Sequence, residues 1–299
     1  VADLKEGGIL LFENLRKWSG EEDNDEAFAK YLASFADVFV QEGFAVCHRE
    51  HASIVSIPKF LPSCAGFLVA EEVSNLSKAF RPRKPFLFIL AGAKFSTKIP
   101  LVNKFLPVAD NLFIAGAIAN DIYKAKGLFV GDSLVDDENL DVSSLLNNEK
   151  IIIPIDVVTS HKGIVYEKKP EEISVGEKIV DAGKKTMIEI KKIVDQASFI
   201  VWNGTLGKYE LGFEKATLDL AKMISESNAI TIVGGGDTLT AIDKLELFEK
   251  FSFISTGGGA MLEFLAKETL PGLVALSTKE NTQKTLEGEE KTWIKKFFS

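Results

Sequence analysis

The chain has 299 residues, 46% hydrophobic and 26% charged, with a formal net charge of −8. Those proportions predict a globular protein of about two domains with a large core. They exclude a nucleic-acid surface, which needs a basic stripe, and no apolar run approaches the roughly 20 residues of a membrane-spanning helix, so neither nucleic acid nor membrane is an expected partner.

In chain order, residues 8–12 (Gly-Ile-Leu-Leu-Phe) read as a strand, residues 25–35 as an amphipathic helix and residues 36–40 (Ala-Asp-Val-Phe-Val) as a second strand. Residues 62–80 carry a helical pattern, and Pro82 and Pro85 among basic residues mark a boundary. Beyond it come strand signals at residues 86–90, 112–114, 151–155, 199–202, 229–233 and 251–254, separated by amphipathic stretches. Such alternation predicts βα units and a mainly parallel sheet. The region before Pro62 supplies two strands, too few for a parallel sheet covered on both faces, so the first lobe reads as incomplete and the second as complete. The acidic, Gly-containing start (Asp3, Glu6, Gly7, Gly8) lacks the pattern of a signal peptide. Cys47 and Cys64 are the only cysteines; without a C-x-x-C pair they predict buried thiols in a reducing cytoplasm rather than a disulfide framework or zinc site.

The strand ends carry the chemistry. Two apolar runs stop in three glycines and restart as helices: Gly234-Gly235-Gly236-Asp237-Thr238 and Gly257-Gly258-Gly259-Ala260. Each would place bare backbone N–H groups and a helix N-terminus at a strand end, an arrangement suited to phosphate. Ala91-Gly92-Ala93-Lys94, Ala115-Gly116-Ala117 and Asn203-Gly204-Thr205-Leu206-Gly207 end three further strands. One such turn is more often plain strand-to-helix punctuation; five after successive strands point to one cleft at the carboxyl ends of a sheet. Neither a G-x-G-x-x-G after a strand nor a Walker loop is present. Lys94 and Lys98, four apart at an expected helix start, would share one face, where both ammoniums reach phosphate oxygens; the bland alternative is a solvated surface pair. Asp237 suits either a Mg²⁺ carried by a nucleotide or a helix N-cap.

Taken together, residues 91–98 (Ala-Gly-Ala-Lys-Phe-Ser-Thr-Lys), 202–210 (Trp-Asn-Gly-Thr-Leu-Gly-Lys-Tyr-Glu), 234–238 and 255–260 resemble the successive nucleotide-site motifs of phosphoglycerate kinases, and residues 11–16 and 48–51 (His-Arg-Glu-His) resemble their acceptor-side motifs. The match runs in order from about residue 8 to residue 278. It implies an α/β fold of two Rossmann-like lobes with parallel sheets. Residues 1–62 would form a partial N-terminal, acceptor-side lobe and residues 63–80 an interdomain helix; residues 81–278 would form a nucleotide-binding lobe and 279–299 a tail. The implied reaction moves a phosphoryl group between 1,3-bisphosphoglycerate and MgADP, giving 3-phosphoglycerate and MgATP, with Mg²⁺ arriving on the nucleotide.

The resemblance also implies roles: Lys94, Lys98, Gly257, Gly258 and Gly259 around the transferred group, and Asn203, Gly236, Asp237 and Thr238 along the phosphates, Asp237 holding the metal. Glu210 would accept from the ribose, Gly92 and Gly116 would pass the base, and Arg16 and Arg49 would hold the acceptor. His48 and His51 are expected to be structural, since this transfer needs no protein base. Departures from the pattern are Ala91 and Ala115 for glycines, Thr97 for an aspartate, Thr205 for a proline, Lys208 for an apolar residue and residues 41–45 (Gln-Glu-Gly-Phe-Ala) around the acceptor hinge. The family's opening Asp-Phe-Asn strand and Ser-His-Leu-Gly-Arg-Pro motif do not occur in this sequence. Methyl groups at Ala91 and Ala115 crowd a bound base, so nucleotide affinity below the family norm is expected. With the acceptor cluster reduced to Arg16 and Arg49, turnover by this polypeptide alone is expected to be negligible, and a separate N-terminal fragment or a contact with a second copy would complete it. The kinase reading leads; a weak nucleotide-binding relative and a structural subunit are the alternatives, with Trp293-Ile294-Lys295-Lys296-Phe297-Phe298 in the tail apolar enough to cover open surface.

Overall fold

The computed structural model describes residues 4–136 and 142–277; the expected tail at 279–299 lies outside them. The described residues divide into two compact units, 4–77 with 259–277, and 78–258.

The first unit contains α1 (Ser19–Glu22), α2 (Glu26–Ala33), β1 (Phe39–Gln41), β2 (Ser63–Ala65) and α3 (Phe67–Ser77). Asp25 starts α2 by accepting the Phe28 N–H at 2.6 Å, the usual N-cap bond. Buried Ala29 and Ala33 pack with Ala52 and Ile57. β1 and β2 pair in parallel, Phe39 with Ser63 through Gln41 with Ala65. Two sequence expectations change here. Residues 8–12 are not a strand: Ile9 and Leu11 are 94% and 92% exposed. An apolar run becomes a strand only where a neighbouring strand takes up its backbone groups. The long helix expected over 62–80 begins only at Phe67, because residues 63–65 are drawn into the ladder with β1.

The second unit runs β3 (Phe86–Leu90), α4 (Ile99–Phe105), β4 (Asn111–Ile114), α5 (Ile118–Ala125), α6 (Ser143–Leu146), β5 (Ile151–Ile152), β6 (Val157–His161), β7 (Ile164–Lys168), β8 (Lys178–Ala182), α7 (Lys184–Gln196), β9 (Phe199–Asn203), α8 (Lys215–Ser225), β10 (Ile230–Gly234), α9 (Gly236–Lys244) and β11 (Phe253–Ser255). Six strands form one parallel sheet in the order β11-β10-β9-β3-β4-β5. All five residues of β3 and of β9 are buried, as expected for central strands covered on both faces. β5 is shorter than expected, since Pro154 lacks the N–H a ladder needs. The antiparallel sheet β7-β6-β8 was not expected from the sequence.

Strand order reverses between β3 and β9: the chain winds outward through β4 and β5, then returns to the other side of β3. Ligand crevices in doubly wound sheets lie at such a reversal, outside the carboxyl ends of the strands. The last helices, α10 (Gly259–Lys267) and α11 (Pro271–Leu276), belong to the first unit. Phe264 meets Phe44 edge-on at 6.0 Å, and the Gly272 N–H donates to the Cys47 carbonyl at 2.8 Å. The sequence reading had placed these residues in the nucleotide-binding lobe.

Candidate active site

At the reversal, the segment after β3 meets the segment after β9. The Ala91 N–H donates to the Asn203 carbonyl at 2.8 Å, continuing the ladder past the end of β3. Gly204, at φ +98°, lies so close to Ala91 that a Cβ there would sit 2.1 Å from the Ala91 carbonyl oxygen. The turn after β4 closes on both: a Cβ at Gly116 would be 2.9 Å from the Gly92 nitrogen and 3.0 Å from the Thr205 oxygen.

Side chains tie these corners to β10 and α9. Lys98 Nζ donates to Asn203 Oδ1 at 2.6 Å, and Asn203 Nδ2 donates to the Gly234 carbonyl at 2.9 Å. The Gly204 N–H donates to Thr238 Oγ1 at 3.1 Å. Asn203 and Thr238 are buried, and Lys98 is 8% exposed. Burial lowers the Lys98 pKa to about 8, because the ammonium loses water that one neutral partner does not replace.

α9 starts at Gly236 with Gly235 as its N-cap at φ +111°, and no side chain caps it. Its first N–H groups therefore end the helix dipole without a protein acceptor from that cap. Asp237 stands in the first turn and is exposed, so it is not the N-cap that its position in the sequence also allowed. Glu210 is exposed on the short 3₁₀ turn Tyr209–Leu211.

Lys94 and Lys98 do not share a helical face. α4 begins at Ile99 with Lys98 as its N-cap residue, and Pro100 sits in its first turn, where a missing N–H leaves no bond unmade. Lys94 is exposed in the loop before it, and fully buried Phe95 anchors that loop.

Some groups at this site left little trace in the sequence. Asp181, next to last in β8, has its carboxylate buried, accepting from the Ala182 and Ala216 N–H groups at 2.9 and 3.1 Å. Burial raises its pKa to about 6. It lies against Gly207, where a Cβ would be 2.6 Å from Asp181 Oδ1. The available signal was a lone carboxylate inside the apolar run Ile179-Val180-Asp181-Ala182.

In the first unit, the Arg16 N–H is held by Asn14 Oδ1 at 3.0 Å and Arg16 Nε lies 3.8 Å from Glu22. Arg49 is exposed. His51 Nδ1 lies 3.7 Å from buried Glu21, which also accepts from the Ser53 N–H and hydroxyl at 3.0 and 2.6 Å. Burial lowers the His48 pKa, with Arg49 adding to the effect, and a Cβ at Gly259 would sit 3.6 Å from His48 Nε2. In the second unit, Gly257 and Gly258 follow β11, Gly258 at φ +53°. Cys47 and Cys64 are free, the first buried and the second exposed.

Comparison with known proteins assigns the lineage. A family model described as Phosphoglycerate kinase matches residues 1–268. A phosphoglycerate kinase of Aquifex aeolicus is 41% identical over 295 residues, covering 94% of this chain and 74% of its own length. One from Orientia tsutsugamushi (strain Ikeda) is 41% identical over 301 residues, covering 95% and 74%. The solved structure of phosphoglycerate kinase from Coxiella burnetii superposes with a TM-score of 0.81 at 37% identity, covering 94% of this chain and 74% of that one. Motifs, strand order and these matches agree, and the chain belongs to the phosphoglycerate kinase family.

Proposed function

We propose that this chain transfers a phosphoryl group between 1,3-bisphosphoglycerate and MgADP, giving 3-phosphoglycerate and MgATP, a step of glycolysis. The observation that carries the reading is the linkage of Lys98, Asn203, Gly204, Gly234 and Thr238 beside the uncapped start of α9. Phosphoryl transfer asks little covalent chemistry of the protein; it asks for donors and positive charge fixed where charge develops.

Lys94 and Lys98 supply the charge, and the N–H groups of Gly257, Gly258 and Gly259 supply donors to the moving group. The α9 N-terminus, through Gly236 and Thr238, receives the nucleotide phosphates. A Cβ at Gly236 would meet nothing within 4 Å, so protein packing does not demand a glycine there; close approach of a phosphate does. Glu210 accepts from the ribose hydroxyls, Asn203 orients Lys98, and Gly92 and Gly116 let the base lie on backbone. Arg16 and Arg49 bind the acceptor's carboxylate and phosphate. Mg²⁺ travels with the nucleotide and neutralises phosphate charge. Such an ion needs one or two protein carboxylates beside the phosphates, which exposed Asp237 fits; among the described residues no cluster of three ligating side chains offers another arrangement. A reducing cytoplasm suits the two free thiols.

Calorimetric titration with MgADP tests the nucleotide half, and ATP-dependent turnover of 3-phosphoglycerate tests the acceptor half. Saturable MgADP binding is expected. The absence of both heat and thermal shift at millimolar MgADP would sink the reading.

A further inference from the structure

Ser96 lies midway between Lys94 and Lys98 in the sequence. Its N–H and its hydroxyl both donate to one oxygen, Asp136 Oδ2, at 2.9 and 2.8 Å. The segment that carries Asp136 is fastened to α5: the Asp136 N–H donates to Asp121 Oδ1 at 2.8 Å, and Asn120 Nδ2 donates to the Leu134 carbonyl at 2.8 Å. α5 also holds the near end of the lysine loop, where the Ile118 N–H donates to the Gly92 carbonyl at 3.1 Å. Within the loop, Thr97 Oγ1 donates to the Lys94 carbonyl at 2.8 Å, and Lys98 is tied to Asn203.

We propose that Asp136 is a positioning residue for phosphoryl transfer: through Ser96 it fixes the loop of residues 92–98, so that Lys94 and Lys98 are aimed before nucleotide arrives, and Asp121 and Asn120 hold the Asp136 segment in place. The inference rests on the reading of Lys94 and Lys98 as phosphate-binding groups. Charge-assisted bonds to a carboxylate are about twice as strong as neutral ones, and two on one oxygen leave the loop little freedom. Fixed donors contribute to catalysis because no reorganisation is left for the moment of reaction. Nothing in the sequence marked Asp136, which stands in an acidic stretch with Asp132, Asp137 and Glu138.

MgADP and adenosine titrated calorimetrically into the unaltered chain, Asp136→Ala, Ser96→Ala and the double variant separate positioning from general damage. Asp136→Ala should weaken MgADP about tenfold, and Ser96→Ala about threefold, with adenosine changed less than about twofold, since adenosine has no phosphate for the lysines to meet. The double variant should bind no worse than Asp136→Ala. Equal losses for both ligands, additive losses or unchanged MgADP affinity would overturn the proposal. If Asp136→Ala does not fold, Ser96→Ala, which removes one bond and no charge, carries the same comparison. If the unaltered chain binds no MgADP, the functional reading fails by itself, and positioning is then read from amide hydrogen exchange in the free chain. Exchange at the Ser96 amide at least about tenfold faster in Asp136→Ala, with β3 unchanged, supports it; unchanged Ser96 exchange in that variant overturns it.

Discussion

The glycines after β9 and those at the start of α9 look alike in sequence and are used in opposite ways. At Gly204 the neighbouring backbone is so close that a Cβ would lie 2.1 Å from a carbonyl oxygen; at Gly236 it would meet nothing within 4 Å. The first glycine is required by the protein's own packing, and the second is left open. A glycine enclosed by backbone is required by the fold, whereas packing does not demand the one at Gly236, whose openness the proposed function assigns to the nucleotide phosphates.

Three substitutions test this contrast, in order of expected effect. Gly204→Ala forces a methyl into the Ala91 carbonyl at a positive φ, and should destabilise the second unit by about 3 kcal/mol or more. Its denaturant midpoint should fall well below that of the unaltered chain; an unchanged midpoint would mean the corner is looser than the geometry shows. Lys98→Met keeps the apolar stem but removes the cation, and should weaken MgADP by about 100-fold while leaving adenosine binding intact. Loss of both ligands alike would make Lys98 a structural residue. Gly236→Ala should leave the midpoint within about 1 kcal/mol, since alanine is favourable in a helix, yet weaken MgADP about tenfold by obstructing the phosphate. Unimpaired binding in that variant would remove the argument that Gly236 is kept open for a ligand.

Much of this was legible beforehand, and the losses have physical causes. The six strands of the main sheet were visible because buried parallel strands are written as uninterrupted apolar runs, as in Phe86-Leu87-Phe88-Ile89-Leu90. Residues 8–12 carry the same signal and form no strand, because pairing depends on a neighbour that composition does not reveal. The β7-β6-β8 sheet was missed because β7 is largely exposed, as at Ile164, Val165 and Tyr166, and carries charge at Glu167 and Lys168, while Asp181 interrupts the apolar run of β8. Among site residues, the glycine corners and Lys98 stood out through spacing. Asp136 and Asp181 did not, since each acts on a backbone segment distant in sequence: Asp136 on Ser96, Asp181 on Ala216. That the two lysines share no helical face followed from Pro100, which marks a helix start more firmly than their spacing does.

The smallest expected effect is a pH dependence that isolates Lys98 from the other cations. Its pKa in the fold is lowered to about 8 by burial, against 10.5 for an ordinary lysine. Below pH 8 both folded and unfolded chains hold the proton there. Between about pH 8 and 10.5 the unfolded chain binds the proton and the folded one has shed it, so this group's contribution makes stability rise with pH across that window. Nucleotide pulls the other way, because its phosphates favour the ammonium. Binding of MgADP above pH 8 should therefore take up a proton, and affinity should decline by a few-fold between about pH 8 and 9. Calorimetry in two buffers of different ionisation enthalpy reads the uptake directly. In Lys98→Met the uptake should vanish; if it persists unchanged, another group titrates on binding, and Lys98, buried against Asn203 at the end of β9, is not the one that meets the phosphate.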